Sequence, residues 1–132
     1  MSLNEQQRTD LVKLYWDKAA ITWDELEVCV QNKRWNMAAN RMYYALYHAV
    51  CALMIHDGHP VPKHKGSKQV LGERYILTGK MPSEYGRLYA QLATLRERAD
   101  YDIIFKADED MISSFRPRAE ALMNFIETFV LK

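Results

Sequence analysis

Residues that interrupt helices are scarce in this 132-residue chain, which has five glycines and four prolines. That scarcity excludes collagen-like and Pro/Gly-rich disordered architectures. Two cysteines, Cys29 and Cys51, lie in helical apolar patterns without metal spacing. They are too few for a disulfide framework and read as buried thiols in a reducing compartment. Net charge is almost absent, with 18 Lys and Arg against 17 Asp and Glu leaving +1. The total therefore excludes bulk electrostatic binding to nucleic acid or anionic lipid, while a small basic cleft fits within it. No segment alternates with a strand period over a useful length, and no internal repeat or low-complexity tract occurs. P-loop and dinucleotide-binding fingerprints are missing as well. The longest apolar stretch, residues 37–55, would be about 28 Å long as a helix. Asn40, Arg41 and His48 interrupt it, so it is too short and too polar for a membrane span. The N-terminal MSLNEQQRTD is polar and holds no signal-peptide apolar run. The expectation is a cytoplasmic protein with no membrane contact.

What remains is the composition of a globular chain, 48% hydrophobic and 27% charged, long enough to bury a core as one domain over residues 1–132. Leu11, Leu14, Tyr15, Thr22, Leu26 and Cys29 predict one stripe of a helix over residues 5–31, with a turn at Asn32, Lys33 and Arg34. A central helix follows over residues 35–56. Gly58, Pro60 and Pro62 end it, because a glycine and two prolines cannot continue a helix. After a basic KHKGSK loop, a short helix is expected over residues 67–77, stopping at Thr78-Gly79. Pro82-Ser83-Glu84 opens another, with Tyr85, Leu88, Leu92, Leu95 and Ala99 as its stripe. Asp108-Glu109-Asp110 opens the last, striped by Phe115, Ala119, Leu122, Ile126 and Phe129, and Pro117 predicts a kink near its first turns. The fold expected is an all-α, up-and-down helical bundle of four long helices plus one short helix.

Two stripes separate on the central helix. Ala38, Met42, Ala45, Ala49 and Ala52 form a small-residue face that lets another helix approach closely. Met37, Arg41, Tyr44, His48, Cys51 and Ile55 form its neighbour. Arg41 and His48 are seven positions apart, two turns, and so point the same way. Polar groups on a core helix have to be paired or used. In a paired arrangement, Arg41 meets a carboxylate such as Asp100, and His48 bonds a backbone carbonyl or Tyr101. Arg96 and Asp100, four apart, then make a helical ion pair that ties helices together.

The run ANRMYYALYHAVCAL, then KHKG, then TGKMPSEYGRLYAQLATLRERADYD, resembles the small stand-alone prokaryotic branch of the HEPN superfamily (higher eukaryotes and prokaryotes nucleotide-binding). The matching positions are Arg41, Tyr43-Tyr44-Ala45, His48, Lys63, His64, Gly66, Thr78-Gly79, Arg96, Ala99, Asp100 and Tyr101, spanning roughly residues 35–102. The resemblance implies a helical bundle that pairs into a symmetric homodimer. In active members of that family, an Arg followed after about four to six residues by a His forms a metal-independent ribonuclease site at the dimer cleft. Many such members are toxins restrained by a small nucleotidyltransferase partner. Arg41 and His48 match the longest of these spacings. Two positions depart from the toxin pattern. Met42 stands where a polar residue usually follows the Arg, and Val50 stands where a tyrosine often accepts nucleotides from the antitoxin.

The chemistry of these side chains suits RNA cleavage without metal or cofactor. A His near its ordinary pKa of about 6.5 can take a 2′-hydroxyl proton. An Arg fork meets two phosphate oxygens at once and keeps its charge. Tyr44, between the two, is placed to donate to phosphate or stack on a base. Arg96, Asp100 and Tyr101 are candidates for a supporting shell around Arg41 or His48. Lys63 and His64, with Lys65 and Lys68, read either as a basic rim that touches phosphate or as a solvated loop. His56, Asp57, His59 and His64 fit no metal-ligand spacing, so no metal is expected. The alternative class is a non-catalytic module that binds RNA, a nucleotide or a nucleotidyltransferase partner.

Overall fold

A computed structural model describes residues 3–131; Met1 and Ser2 of the polar N-terminal stretch, and Lys132, lie outside it. The described chain is 80% helical and contains no strand. Helix α1 spans Glu5–Gln31, α2 Trp35–His56, α3 Ser67–Leu71, α4 Ser83–Tyr101 and α5 Glu109–Val130. The expected all-α bundle is therefore present. Its helix ends follow local chemistry. Asn4 accepts from the Gln7 amide while the Gln7 side chain accepts from the Asn4 amide, a reciprocal cap that satisfies two donors at the start of α1. Asp108 caps α5 by accepting from the Met111 amide. Gly58 follows α2 with φ +85°, a backbone conformation that costs glycine little.

The central helix is the axis of the bundle, packing against α1, α4 and α5. Ala38, Met42, Ala45, Ala49 and Ala52 are completely buried, and the four alanines of this row let neighbouring backbones come close. Leu88, Leu92 and Leu95 of α4 and Ala119, Leu122 and Ile126 of α5 close the core, as their spacing predicts.

Three local expectations change. Leu14, expected inside, is exposed, and Val12 and Ala19 occupy the inner face of α1 instead. The helix expected over residues 67–77 is two pieces, since α3 gives way to a π turn over Gly72–Ile76. Gly86 of α4 passes this turn so closely that a Cβ there would lie 2.9 Å from Ile76 Cγ1. Met37, assigned to the polar stripe of α2, is exposed at its open end. Helix α5 continues through Pro117 as a single element. The proline is exposed.

No helix among the described residues is long and apolar enough to cross a membrane, and no cluster of metal-ligating side chains occurs among them. Cys29 and Cys51 are free and buried.

Candidate functional site

Helical spacing on α2 brings Arg41, Tyr44 and His48 onto one half-open face. The Arg41 guanidinium lies 5.8 Å from the centre of the Tyr44 ring. The ring centroids of Tyr44 and His48 are 6.3 Å apart, and Tyr47 flanks His48 at 5.5 Å. His48 is half-buried, and its Nδ1 is shielded from solvent without a hydrogen-bond partner. Burial, reinforced by the positive charges of Lys18 and Arg41, pushes the imidazole pKa below its ordinary value of 6.5. His48 is therefore neutral at pH 7, the form that accepts a proton.

Arg41 is held from two sides. Its Nε and Nη2 both donate to Asn40 Oδ1, at 3.0 and 2.7 Å, and Nη1 donates to Glu25 Oε1 of α1 at 3.0 Å. These bonds use three of the five guanidinium N–H groups and leave two. The Arg41 side chain keeps 31% of its surface exposed.

Asn40 links this cation to a second one. Its Nδ2 donates to Asp100 Oδ2 at 3.0 Å, and the same oxygen accepts from Arg96 Nη1 at 3.4 Å. Arg96 and Asp100 thus form the expected helical pair. Asp100 reaches Arg41 only through Asn40, not directly. Arg96 is buried, lies 5.5 Å from the ring centres of both Tyr43 and Tyr44, and sits 5.7 Å from that of Tyr101. Its Nη2 donates to His64 Nε2, and His64 Nδ1 bonds the Tyr43 hydroxyl at 2.9 Å. Because a guanidinium only donates, Nε2 must accept, so His64 is neutral with its proton on Nδ1 and donates to Tyr43. Burial, then Arg96 and Lys65, lower its pKa in agreement, against a smaller opposing effect of Glu97.

The structure therefore gathers Arg41, Tyr44, His48, His64, Arg96 and Asp100 around the Tyr43–Tyr44 pair. His64 is turned into the bundle instead of joining a basic rim. Lys63, Lys65 and Lys68 are exposed on the loop, and Tyr101 is exposed at the end of α4. Asn40, Glu25 and Tyr43 carry parts of the network that spacing alone did not assign. The visible signal for Asn40 was its place beside Arg41 in an otherwise apolar helix. A groove of about 700 Å³ opens beside Arg41, lined by Glu25, Cys29, Asn36, Asn40 and Asp100 among others.

An all-α bundle with an Arg–Tyr–His face on its central helix is the architecture the sequence motifs anticipate. The sequence model of the HEPN domain matches residues 12–129, and the chain belongs to the HEPN family. It is 27% identical over 128 residues to a UPF0332 protein of Thermotoga maritima, covering 97% of this chain and 96% of that one. Two proteins of Methanocaldococcus jannaschii that bear the name "putative toxin" are also similar. One is 28% identical with 79% of this chain and 72% of the relative covered, the other 20% identical with 94% and 84% covered.

Proposed function

We propose that the chain, folded as a single HEPN domain, is a toxin-like ribonuclease that cleaves RNA without a metal ion, using Arg41 and His48 at the cleft of a homodimer. The observation that carries this reading is the half-open Arg41–Tyr44–His48 face, where a neutral His48 lies two helical turns from an Arg41 that keeps two N–H groups free of the bonds that brace it, with Tyr44 between them. His48 takes the proton of a ribose 2′-hydroxyl, and the 2′ oxygen attacks the adjacent phosphorus. Arg41 holds the non-bridging oxygens as negative charge builds on them. The P–O bond to the 5′ oxygen breaks, that oxygen takes a proton from solvent, and the products end in a 2′,3′-cyclic phosphate and a 5′-hydroxyl. Tyr44 supplies a ring face for a flanking base. Arg96, Asp100 and His64 hold the helix–loop frame, while Lys63 and Tyr101 border it. The similarity to relatives named as toxins supports the same reading.

A second reading is favoured by one feature, the chain of bonds from Glu25 through Arg41, Asn40 and Asp100 to Arg96. Such a chain also makes sense as a tie between α1, α2 and α4. Val50 is fully buried and carries no hydroxyl for a nucleotidyltransferase partner to modify. In this reading the protein is a non-catalytic HEPN module that binds RNA, a nucleotide or such a partner.

The two readings part in one experiment, incubation of purified protein with RNA in excess chelator. Cleavage to cyclic-phosphate ends, abolished in a folded His48→Ala variant, is the outcome expected. Wild-type protein that binds RNA and leaves it intact would move the assignment to the non-catalytic module.

A further inference from the structure

Of the cations near the candidate site, Arg41 is paired with Glu25 and Arg96 with Asp100, while Lys18 of α1 makes no ion pair among the described residues. Its place is fixed by the register of α1 against α2. The two helices run antiparallel, and Glu25 meets Arg41 at 3.0 Å. Seven positions back along α1 from Glu25 is Lys18, and seven positions on along α2 from Arg41 is His48. Both steps are two turns, about 10 Å in the same direction, so Lys18 stands across the seam from His48 as Glu25 does from Arg41. The register holds further on. Arg8, ten positions before Lys18, lies against Gly58, ten positions after His48, where an added Cβ would come 3.6 Å from Arg8 Nη1. Ala19 and Thr22 of α1 are buried whereas Lys18 is exposed, which puts Lys18 at the edge of the seam. After burial, the charge of Lys18 lowers the His48 pKa most, ahead of Arg41.

We propose that Lys18 is the general acid of the cleavage reaction, donating a proton to the 5′ oxygen as its bond to phosphorus breaks. This role rests on the ribonuclease reading above and puts a residue of the site where solvent stood as the proton source. The entering 2′ oxygen and the departing 5′ oxygen lie on opposite sides of phosphorus in an in-line displacement. A base and an acid that flank such a phosphate have to come from different directions, and His48 of α2 and Lys18 of α1 stand across the seam from each other. His48 Nδ1 is shielded, which leaves Nε2 to take the 2′-hydroxyl proton. The 2′ oxygen bonds phosphorus, the bond from phosphorus to the 5′ oxygen breaks, and that oxygen takes a proton from the Lys18 ammonium. Exchange with water then returns a proton to Lys18 and removes the one on His48. A lysine ammonium suits this step because it is charged at neutral pH and is a far stronger acid than the alcohol it makes. Arg41 cannot replace it, since a guanidinium keeps its protons; its part is the charge on the non-bridging oxygens.

The test uses an oligoribonucleotide that the wild-type protein cuts, resynthesised with sulfur in place of the 5′ oxygen at the cut bond, because a thiolate leaves without a proton. Lys18→Ala should lower cleavage of the all-oxygen RNA about 10²-fold, the lower end of the usual worth of a positioned acid. On the sulfur-containing RNA the same variant should cleave at close to the wild-type rate. His48→Ala should be impaired on both RNAs, since both need the 2′ proton removed. Lys18→Arg should stay as slow as Lys18→Ala on the all-oxygen RNA, because it restores charge without a transferable proton. Circular dichroism and urea unfolding of Lys18→Ala should match wild type, the side chain being exposed. Equal losses for Lys18→Ala on the two RNAs, or full rescue by Lys18→Arg, would overturn the acid role. A wild-type rate in Lys18→Ala alongside an inert His48→Ala would overturn it too and leave the ribonuclease reading standing. A wild-type protein that cuts no RNA would overturn both.

Discussion

Two rows of one helix, α2, are built from adjacent positions and end in opposite environments. Ala38, Met42, Ala45, Ala49 and Ala52 are sealed completely; the alanines allow close approach, Met42 fills the core, and none of them brings polar groups. Arg41, Tyr44 and His48 stay half-open; Arg41 is held by Glu25 of α1 and by Asn40 of α2 itself, and His48 Nδ1 is left orphaned. The sealed row determines where the helix sits. The open row can then hold an arginine and a histidine in fixed positions, because α2 cannot shift beneath them. On the proposed function, stability and chemistry are divided between two faces of a single element, and substitutions can separate them.

The largest separation is expected at His48. His48→Ala should lower RNA cleavage about 10²–10⁴-fold, the usual worth of a positioned base, while urea unfolding stays close to wild type. A parallel loss of cleavage and fold would show that the open row is structural. The converse test is Met42→Ala on the sealed row. Removing a fully buried methionine side chain should cost about 2–5 kcal/mol of unfolding free energy and leave the cleavage rate per folded molecule unchanged. A Met42→Ala protein of full stability but altered rate would break the division of labour.

Much of this arrangement was legible in the sequence, and the exceptions share a cause. Helix limits came through where caps and breakers act locally, as at Gly58 and Asp108. The Arg41–Tyr44–His48 face came through because helical periodicity alone places it. Glu25, Asn40 and Tyr43 did not, since their roles depend on partners far away in the chain. Asn40 meets Asp100 sixty positions on, and Tyr43 meets His64 twenty-one positions on. His64 lies in a loop with lysines and looked like part of a basic rim. Only the packed position of Arg96 shows that it turns inward. Leu14 was placed inside because it is hydrophobic, whereas Ala19, which actually lines the core, carries little hydropathy signal.

Asn40 offers a smaller effect that sharpens the comparison, because it stands at the border of the two rows. Asn40→Ala removes the acceptor shared by Arg41 Nε and Nη2 and the donor to Asp100. A loss of about 1–2 kcal/mol in stability is expected from unfolding curves, with a cleavage loss of about tenfold from a freer Arg41. Asn40→Asp separates the two bonds, keeping an acceptor for Arg41 while setting a carboxylate against Asp100. Cleavage should recover more than stability does. Equal recovery of both would mean that the brace on Arg41 and the tie to α4 are not distinct.

The smallest effect is a pH dependence of stability to which the frame contributes through His64 and the open row through His48. His64 faces Tyr43, Tyr44 and Tyr47 of α2, Arg96 and Glu97 of α4, and Lys65 of its own loop. Its pKa in the folded protein lies below the ordinary 6.5, through burial first and then through Arg96 and Lys65. Above that ordinary value both folded and unfolded chains hold the ring neutral, and His64 adds no slope. As pH falls below it, the unfolded chain binds the proton more readily, so stability declines until the folded-state pKa is passed. Protonated His64 would also direct an N–H at Arg96, which has no lone pair to offer. His48 contributes a decline of the same sign, because its pKa is lowered too. Urea unfolding between pH 7 and pH 5 should therefore show a loss of stability that is reduced in His64→Gln. His48→Gln should reduce it as well, but should in addition abolish the rise of cleavage with pH through the His48 pKa. If His64→Gln instead removed the cleavage profile and left the stability slope intact, the proton acceptor would lie on the inner side of Tyr44 and not on its open face.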